Sequence, residues 1–220
     1  FTEKQGKEMF GCGVTGDYYL LEKTQKKIRT KIIAQDGKTY NEDLTEWDFL
    51  PAGEIDKIKK ILAKKEDKNI NVIYSSSIYD TRKKRMSHIK KPEKKNINTY
   101  YDRSINEGYD KKCIHSMTQK GIGYRYCNED VGHFDIPKVV LSFGRYQYPY
   151  NDYEGEYGMT QVIYGLEIDN QEEGDRMCEA INTDEFKSII KYTKWTVFHT
   201  EWRMFKYLKK DFWKEFVDEN

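Results

Sequence analysis

The sequence predicts an α+β fold, with a mixed or strongly curved sheet and a C-terminal helical cap. Three observations carry this expectation. Two apolar runs, Lys138 to Phe143 and Gln161 to Ile168, read as strands bounded by turn-forming residues. Gln171 to Asn182 places Met177, Ala180 and Ile181 at helical spacing, and Phe186, Ile189 and Ile190 repeat the pattern just beyond. Finally, Trp195, Phe198, Trp202, Phe205, Leu208, Phe212, Trp213 and Phe216 form a dense, partly helical aromatic segment, expected to clamp the two helices onto the sheet.

The remaining elements follow in chain order. Gly11, Gly13 and Gly16 precede an apolar run, so residues 12–23 read as a turn feeding a strand. Lys31 to Ala34 and Lys38 to Tyr40, separated by Gln35-Asp36-Gly37, predict a hairpin with the Asp-Gly turn that two-residue connections favour. Trp47, Phe49 and Leu50, ahead of the Pro51-Ala52-Gly53 break, are expected core anchors. From Gly53 to Glu66, Ile55, Ile58, Ile61 and Leu62 share one side while Lys57, Lys59, Lys60, Lys64 and Lys65 lie elsewhere, which predicts an amphipathic helix with a solvated basic face. Asn71 to Tyr74 reads as a short strand. Asn182, with Glu185 three positions on, suggests a capping box for the second helix of the cap.

Composition bounds the function. The 220 residues are 37% hydrophobic and 34% charged, with a mean hydropathy of -0.92, so a polar surface must enclose a core rich in aromatic rings. That length is expected to form a single domain, and a start at Phe1 suggests a piece of a longer polypeptide. No long apolar run or signal-peptide profile occurs, so no membrane partner is expected and the location is expected to be intracellular, cytoplasmic or, for a viral protein, the viral factory or virion. Cys12, Cys113, Cys127 and Cys178 contain no C-x-x-C pair, and the spacing of Cys113, His115, Cys127 and His133 matches no metal-ligand pattern, so free thiols and no metal are expected.

Charge is distributed unevenly. The net charge is only +1, yet Arg82, Lys83, Lys84, Arg85, Lys90, Lys91, Lys94 and Lys95 crowd an exposed loop at 80–98 in which the apolar pattern stops. Such a run repels itself unless something anionic lies alongside, and the sequence assigns it to a polyanion. The stretch from Lys112 to Asn170 complements it. Its two strand-like runs support a connection crowded with Tyr, Gly, Arg, Asn and Asp, a composition suited to contact.

Catalytic motifs are missing. No G-x-S-x-G, H-E-x-x-H or Walker sequence occurs, and the acidic residues Asp152, Glu154, Glu156, Glu167 and Asp169 lack a convincingly placed lysine for a metal-dependent nuclease. All four prolines are isolated, so the Asn/Asp-Pro-Pro-Tyr/Phe loop that holds a flipped base for amino methylation is missing as well. No glycine-rich turn follows a buried parallel strand, which leaves no basis for a methyl-donor pocket in this chain.

Several stretches carry a family likeness: G-V-T-G-D-Y-Y-L-L at 13–21, I-H-S-M-T-Q-K-G-I-G-Y-R-Y at 114–126, G-H-F-D-I-P-K-V-V-L-S-F at 132–143 and G-E-Y-G-M-T-Q at 155–161, then K-W-T-V-F and K-D-F-W near the end. In these the chain resembles the C-terminal target-recognition part of type II restriction-modification adenine DNA methyltransferases, including related proteins of large DNA viruses. The basic stretch lies outside the likeness. The resemblance implies a covalently linked catalytic domain, ahead of this region, that binds S-adenosylmethionine and flips the adenine, while this region reads double-stranded DNA. It implies no catalytic residue and no cofactor here. The DNA-contacting candidates it yields are Ser116, Thr118, Gln119, Lys120, Tyr124 and Arg125, then Arg145, Tyr146 and Gln147, with Thr160 and Gln161. Arg brackets guanine and Gln brackets adenine in the major groove, whereas Ser, Thr and Lys more often hold phosphate. A divalent-metal nuclease, an RNA-binding module and a protein-interaction module are the alternatives from other classes.

Overall fold

The computed structural model describes residues 3–13, 19–20, 23, 29–74, 101–102, 105, 110–127, 133–144, 148–193 and 200–217. The expected loop at 80–98, most of the expected strand within 12–23, Arg145 to Gln147, Trp195 and Phe198 lie outside these. The fold is α+β. Expected as one domain, the chain divides into two compact units: unit 1 joins residues 1–69 to 183–220, and unit 2 is the continuous stretch 70–182.

Unit 1 contains α1 (Glu3–Phe10), the hairpin β1 (Thr30–Ile33) and β2 (Thr39–Glu42), α2 (Ile55–Ile61) and α4 (Asp184–Tyr192). The hairpin forms where expected, but its loop is longer than two residues. Ala34 N donates to Lys38 O at 3.0 Å and Gly37 N to Ala34 O at 3.1 Å, and Gly37 takes φ +81°. Glycine therefore sits third in a three-residue loop, where a left-handed residue lets the strands re-pair. The Asp36 carboxylate accepts from Lys38 N (2.9 Å), Tyr40 Oη (2.7 Å) and Glu54 N (2.9 Å), tying the turn to the start of α2. Burial alone would raise its pKa, but those bonds hold it below the usual carboxylate value.

The second half of unit 1 builds the core. Ile55, Ile58 and Ile61 of α2 are buried, as are Phe186, Ile189 and Ile190 of α4. The cap of α4 is Thr183, which accepts from Phe186 N at 3.1 Å, one position beyond the predicted Asn182. Threonine wins because Asn182 still belongs to the preceding helix. The aromatic segment forms 3-10 turns at Trp202–Tyr207 and Phe212–Glu215, and Phe186 stacks with Phe205 (6.0 Å), Phe212 (5.5 Å) and Phe216 (5.2 Å). Trp47, Phe49 and Leu50 are rim residues rather than core anchors. Leu50 is 43% exposed, Trp47 donates to Glu42 at 3.2 Å, and Phe49 stacks on Tyr207 at 5.8 Å.

Among its described residues, unit 2 contains two four-stranded sheets and one helix. The first orders β3 (Val72–Tyr74), β10 (Ile163–Glu167), β7 (Lys138–Ser142) and β8 (Tyr150–Asp152), all antiparallel. The second orders β4 (Tyr101–Asp102), β6 (Gly121–Cys127), β5 (Lys111–Thr118) and β9 (Gly158–Met159), and is mixed because β9 runs parallel to β5. The sheets meet through Val140 and Ile163 of the first and Ile114, Met117 and Met159 of the second, with Tyr157. α3 (Gln171–Asn182) packs across β7 and β8, burying Met177, Ala180 and Ile181 as its spacing predicts. The two predicted helices of the cap thus fall in different units. The two predicted apolar strands, β7 and β10, are direct neighbours, pairing from Ile163 with Ser142 to Glu167 with Lys138.

Candidate nucleic-acid interface

Strand direction in unit 2 gathers separate stretches at one end. β5 and β9 are parallel, so the tip of the β5–β6 hairpin lies at the end toward which β9 runs. There the chain turns through Thr160, Gln161 and Val162, with Ile163 N donating to Thr160 O at 3.0 Å, and returns as β10. β7 runs antiparallel to β10, so its final residues and the 143–149 connection start at this end, with Phe143 N donating to Val162 O at 3.0 Å. β3 also ends here: Tyr74, 42% exposed, pairs with Tyr164.

The hairpin tip is built for exposure. Gln119 and Lys120 form a two-residue loop between the paired Thr118 and Gly121, and all four are exposed. Gly121 takes φ +117°, a value that favours glycine. The Thr118 hydroxyl accepts from Lys120 N at 3.2 Å and donates to Gly121 O at 3.3 Å, which fixes the loop locally. Behind it, His115 is a bulge residue between the Ile114–Tyr124 and Ser116–Gly123 pairs. The bulge lets Ile114 and Met117, three positions apart, both join the core. His115 Nδ1 bonds Thr160 Oγ1 at 2.9 Å, linking the root of the tip to the neighbouring turn.

The DNA-contacting candidates thus separate. Thr118, Gln119 and Lys120 are exposed together, with Gln161 half-buried at the same end. Ser116 is half-buried over Gly123, where a Cβ would collide with its hydroxyl. Arg125 lies further down β6, opposite Cys113, and bonds the Tyr124 carbonyl at 3.1 Å. Tyr124 is taken up by packing: its ring lies 5.6 Å from Tyr157 and 4.1 Å from the Lys112 ammonium. Thr160 is fully buried, so its part is to hold His115 rather than to touch a ligand. Arg145, Tyr146 and Gln147, like Arg82, Lys83, Lys84, Arg85, Lys90 and Lys91, lie outside the described residues.

Charge is segregated along unit 2. Among the described residues, the connections at the tip end, 118–121, 143–149 and 160–162, carry Lys120 and no carboxylate. The opposite connections expose Asp110, Asp135, Glu154, Glu156 and Asp169.

One feature near that acidic end is missed by sequence reasoning. Lys138, which opens an apparently ordinary strand, is fully buried, and its ammonium donates to His133 O (2.8 Å), Ile136 O (3.1 Å) and Asp152 Oδ2 (2.7 Å). Asp152 also accepts from Glu156 N (2.9 Å) and Tyr157 N (3.2 Å). Each donor of the ammonium has an acceptor, so the pair organises the 133–137 and 152–157 loops around itself. Burial pushes the Lys138 pKa down, opposed by Asp152. Burial and the Lys138 charge lower His133 to about 4. These partners take three of the roughly four acceptor sites of the Asp152 carboxylate, which is 3% exposed. The Cys113 and Cys127 sulfurs stand 3.6 Å apart, and among the described residues no three His, Cys, Asp or Glu side chains gather as metal ligands. Among the same residues no helix is long and apolar enough to cross a membrane.

Comparisons with protein-family models, with curated proteins and with solved structures find no match.

Proposed function

We propose that this chain is the sequence-specific DNA-recognition domain of an adenine methyltransferase or restriction-modification enzyme, which positions duplex DNA for base flipping by a covalently linked catalytic domain outside the chain. S-adenosylmethionine belongs to that domain. The observation that carries the reading is the common end of unit 2. Thr118, Gln119, Lys120 and Gln161 sit there with the ends of β3 and β7, and the described connections at this end carry no carboxylate. A polyanion is attracted to such an end and repelled by the opposite one. Gln is equipped to bracket adenine, and Lys to hold phosphate.

The test is duplex binding by fluorescence anisotropy across a salt series, with single-stranded DNA and RNA as competitors. With about five loop cations on phosphates, log affinity falls with log salt at a slope of about -4.5. A flat response refutes the reading. Stronger competition by single strands transfers it to an RNA-binding module, and plasmid cleavage on adding magnesium or manganese transfers it to a nuclease.

A further inference from the structure

Unit 1 carries a second concentration of positive charge, made by two stretches distant in sequence. The segment 207–210 is threaded between 61–63 and 68–69. On one side Ala63 N donates to Tyr207 O (2.8 Å) and Lys209 N to Ile61 O (2.9 Å); on the other Lys210 N donates to Lys68 O (2.7 Å) and Asn69 Nδ2 to Lys206 O (2.7 Å). This brings Lys64, Lys65 and Lys68 of the intervening turn beside Lys206, Lys209 and Lys210. Against these six cations residues 64–68 and 206–211 hold Glu66, Asp67 and Asp211; the Asp67 carboxylate is engaged by Lys64 N at 2.8 Å, and the Lys206 ammonium lies 5.3 Å from the Trp202 ring centre. Lys64, Lys65, Lys68 and Lys206 are exposed, and the other two are half-buried.

We infer that this lysine cluster is a sequence-independent contact for the sugar-phosphate backbone of double-stranded DNA, separate from the reading surface of unit 2. Like charges are held together here by a backbone arrangement that buries Leu208 and Phe212, and the repulsion falls when phosphates lie alongside. Lysines act as point charges rather than bidentate forks, which suits phosphates and not base edges. Charge alone attracts such a cluster to anionic lipid, but stable attachment to a membrane needs a second, apolar element, and Leu62, Tyr207, Leu208, Phe212 and Trp213 are all buried or half-buried. The phosphate contact follows from unit 1 alone, and the choice of DNA over RNA rests on the proposed function.

The test compares three variants of the full chain by duplex anisotropy over a salt series: Lys65→Ala/Lys68→Ala/Lys209→Ala in the cluster, Lys4→Ala/Lys7→Ala/Lys38→Ala elsewhere in unit 1, and Gln119→Ala/Lys120→Ala in unit 2. Thermal melts establish that each variant is folded. The cluster variant is expected to bind all duplex sequences more weakly, with a salt slope shallower by about 2 to 3. An unchanged slope overturns the inference, as does an equal loss in the Lys4/Lys7/Lys38 control, which would mark a net-charge effect. Loss in the cluster variant with none in the unit 2 variant refutes the reading surface and leaves this contact standing; the reverse does the opposite. Capture of the chain by phosphatidylserine vesicles, abolished in the cluster variant, with no binding to duplex, also overturns it.

Discussion

Lys138 shows how much one buried charge can decide. Its three acceptors are two carbonyls of the 133–137 loop and one carboxylate, so removing the ammonium strands Asp152 in the interior. Lys138→Met is expected to cost about 3–5 kcal/mol in chemical denaturation. Adding Asp152→Asn should recover part of that loss, since a neutral amide oxygen still accepts from a backbone N–H. His133 supplies a pH signature. Its folded pKa of about 4 lies below the unfolded value of 6.5, so the unfolded chain binds more protons between the two. Stability is full above pH 6.5 and falls by up to about 3 kcal/mol as pH drops toward 4. Denaturation curves at pH 7 and 4.5 measure it, and His133→Asn, which tolerates the residue's φ of +72°, should flatten the difference. None of this was legible in the sequence. A lysine at the start of an apolar run reads as a solvated strand end, and only the 133–137 loop folding back over it makes it interior.

At the scale of elements, sequence reading works where the signal is local. The Asp-Gly turn, the isoleucines of α2, the apolar stripes of α3 and α4 and the strands β3, β7 and β10 all lie in short windows whose periodicity or turn chemistry decides them. It fails where tertiary partners decide, as at the rim positions of Trp47, Phe49 and Leu50. The bulge at His115 is another such case, because its hydroxyl partner, Thr160, is distant in sequence. The hairpin of β5 and β6 was legible only as a run of candidate contacts. Under the proposed function, its two-residue loop offers Gln119 to a base edge and Lys120 to phosphate. Gln119→Ala is expected to relax preference at one base position, measured by binding to a panel of single-substitution duplexes. Lys120→Ala is expected to weaken every duplex alike and make the salt slope shallower by about 0.9.

At the scale of the whole molecule, unit 2 is continuous in sequence while unit 1 is assembled from the two ends of the chain. The sequence gives little warning of this, because no linker-like composition marks residues 69–70 or 182–183. Unit 2 contains both of its sheets, α3 and the Lys138–Asp152 pair. The fragment 70–182 is therefore expected to unfold in a single cooperative transition and, under the proposed function, to bind duplex DNA in a salt-dependent way. A fragment that yields no cooperative melt would show that unit 1 is needed to complete its core.

The threading of 207–210 between 61–63 and 68–69 sets an order on synthesis. As the chain leaves the ribosome, unit 2 is complete once residue 182 has emerged, while unit 1 still waits for 183–220. A premature stop just beyond that point would therefore release a finished unit 2 on an open unit 1 whose Ile55, Ile58 and Ile61 lack their cover. Proteolytic clearance of such a truncated product should begin in unit 1 and spare unit 2.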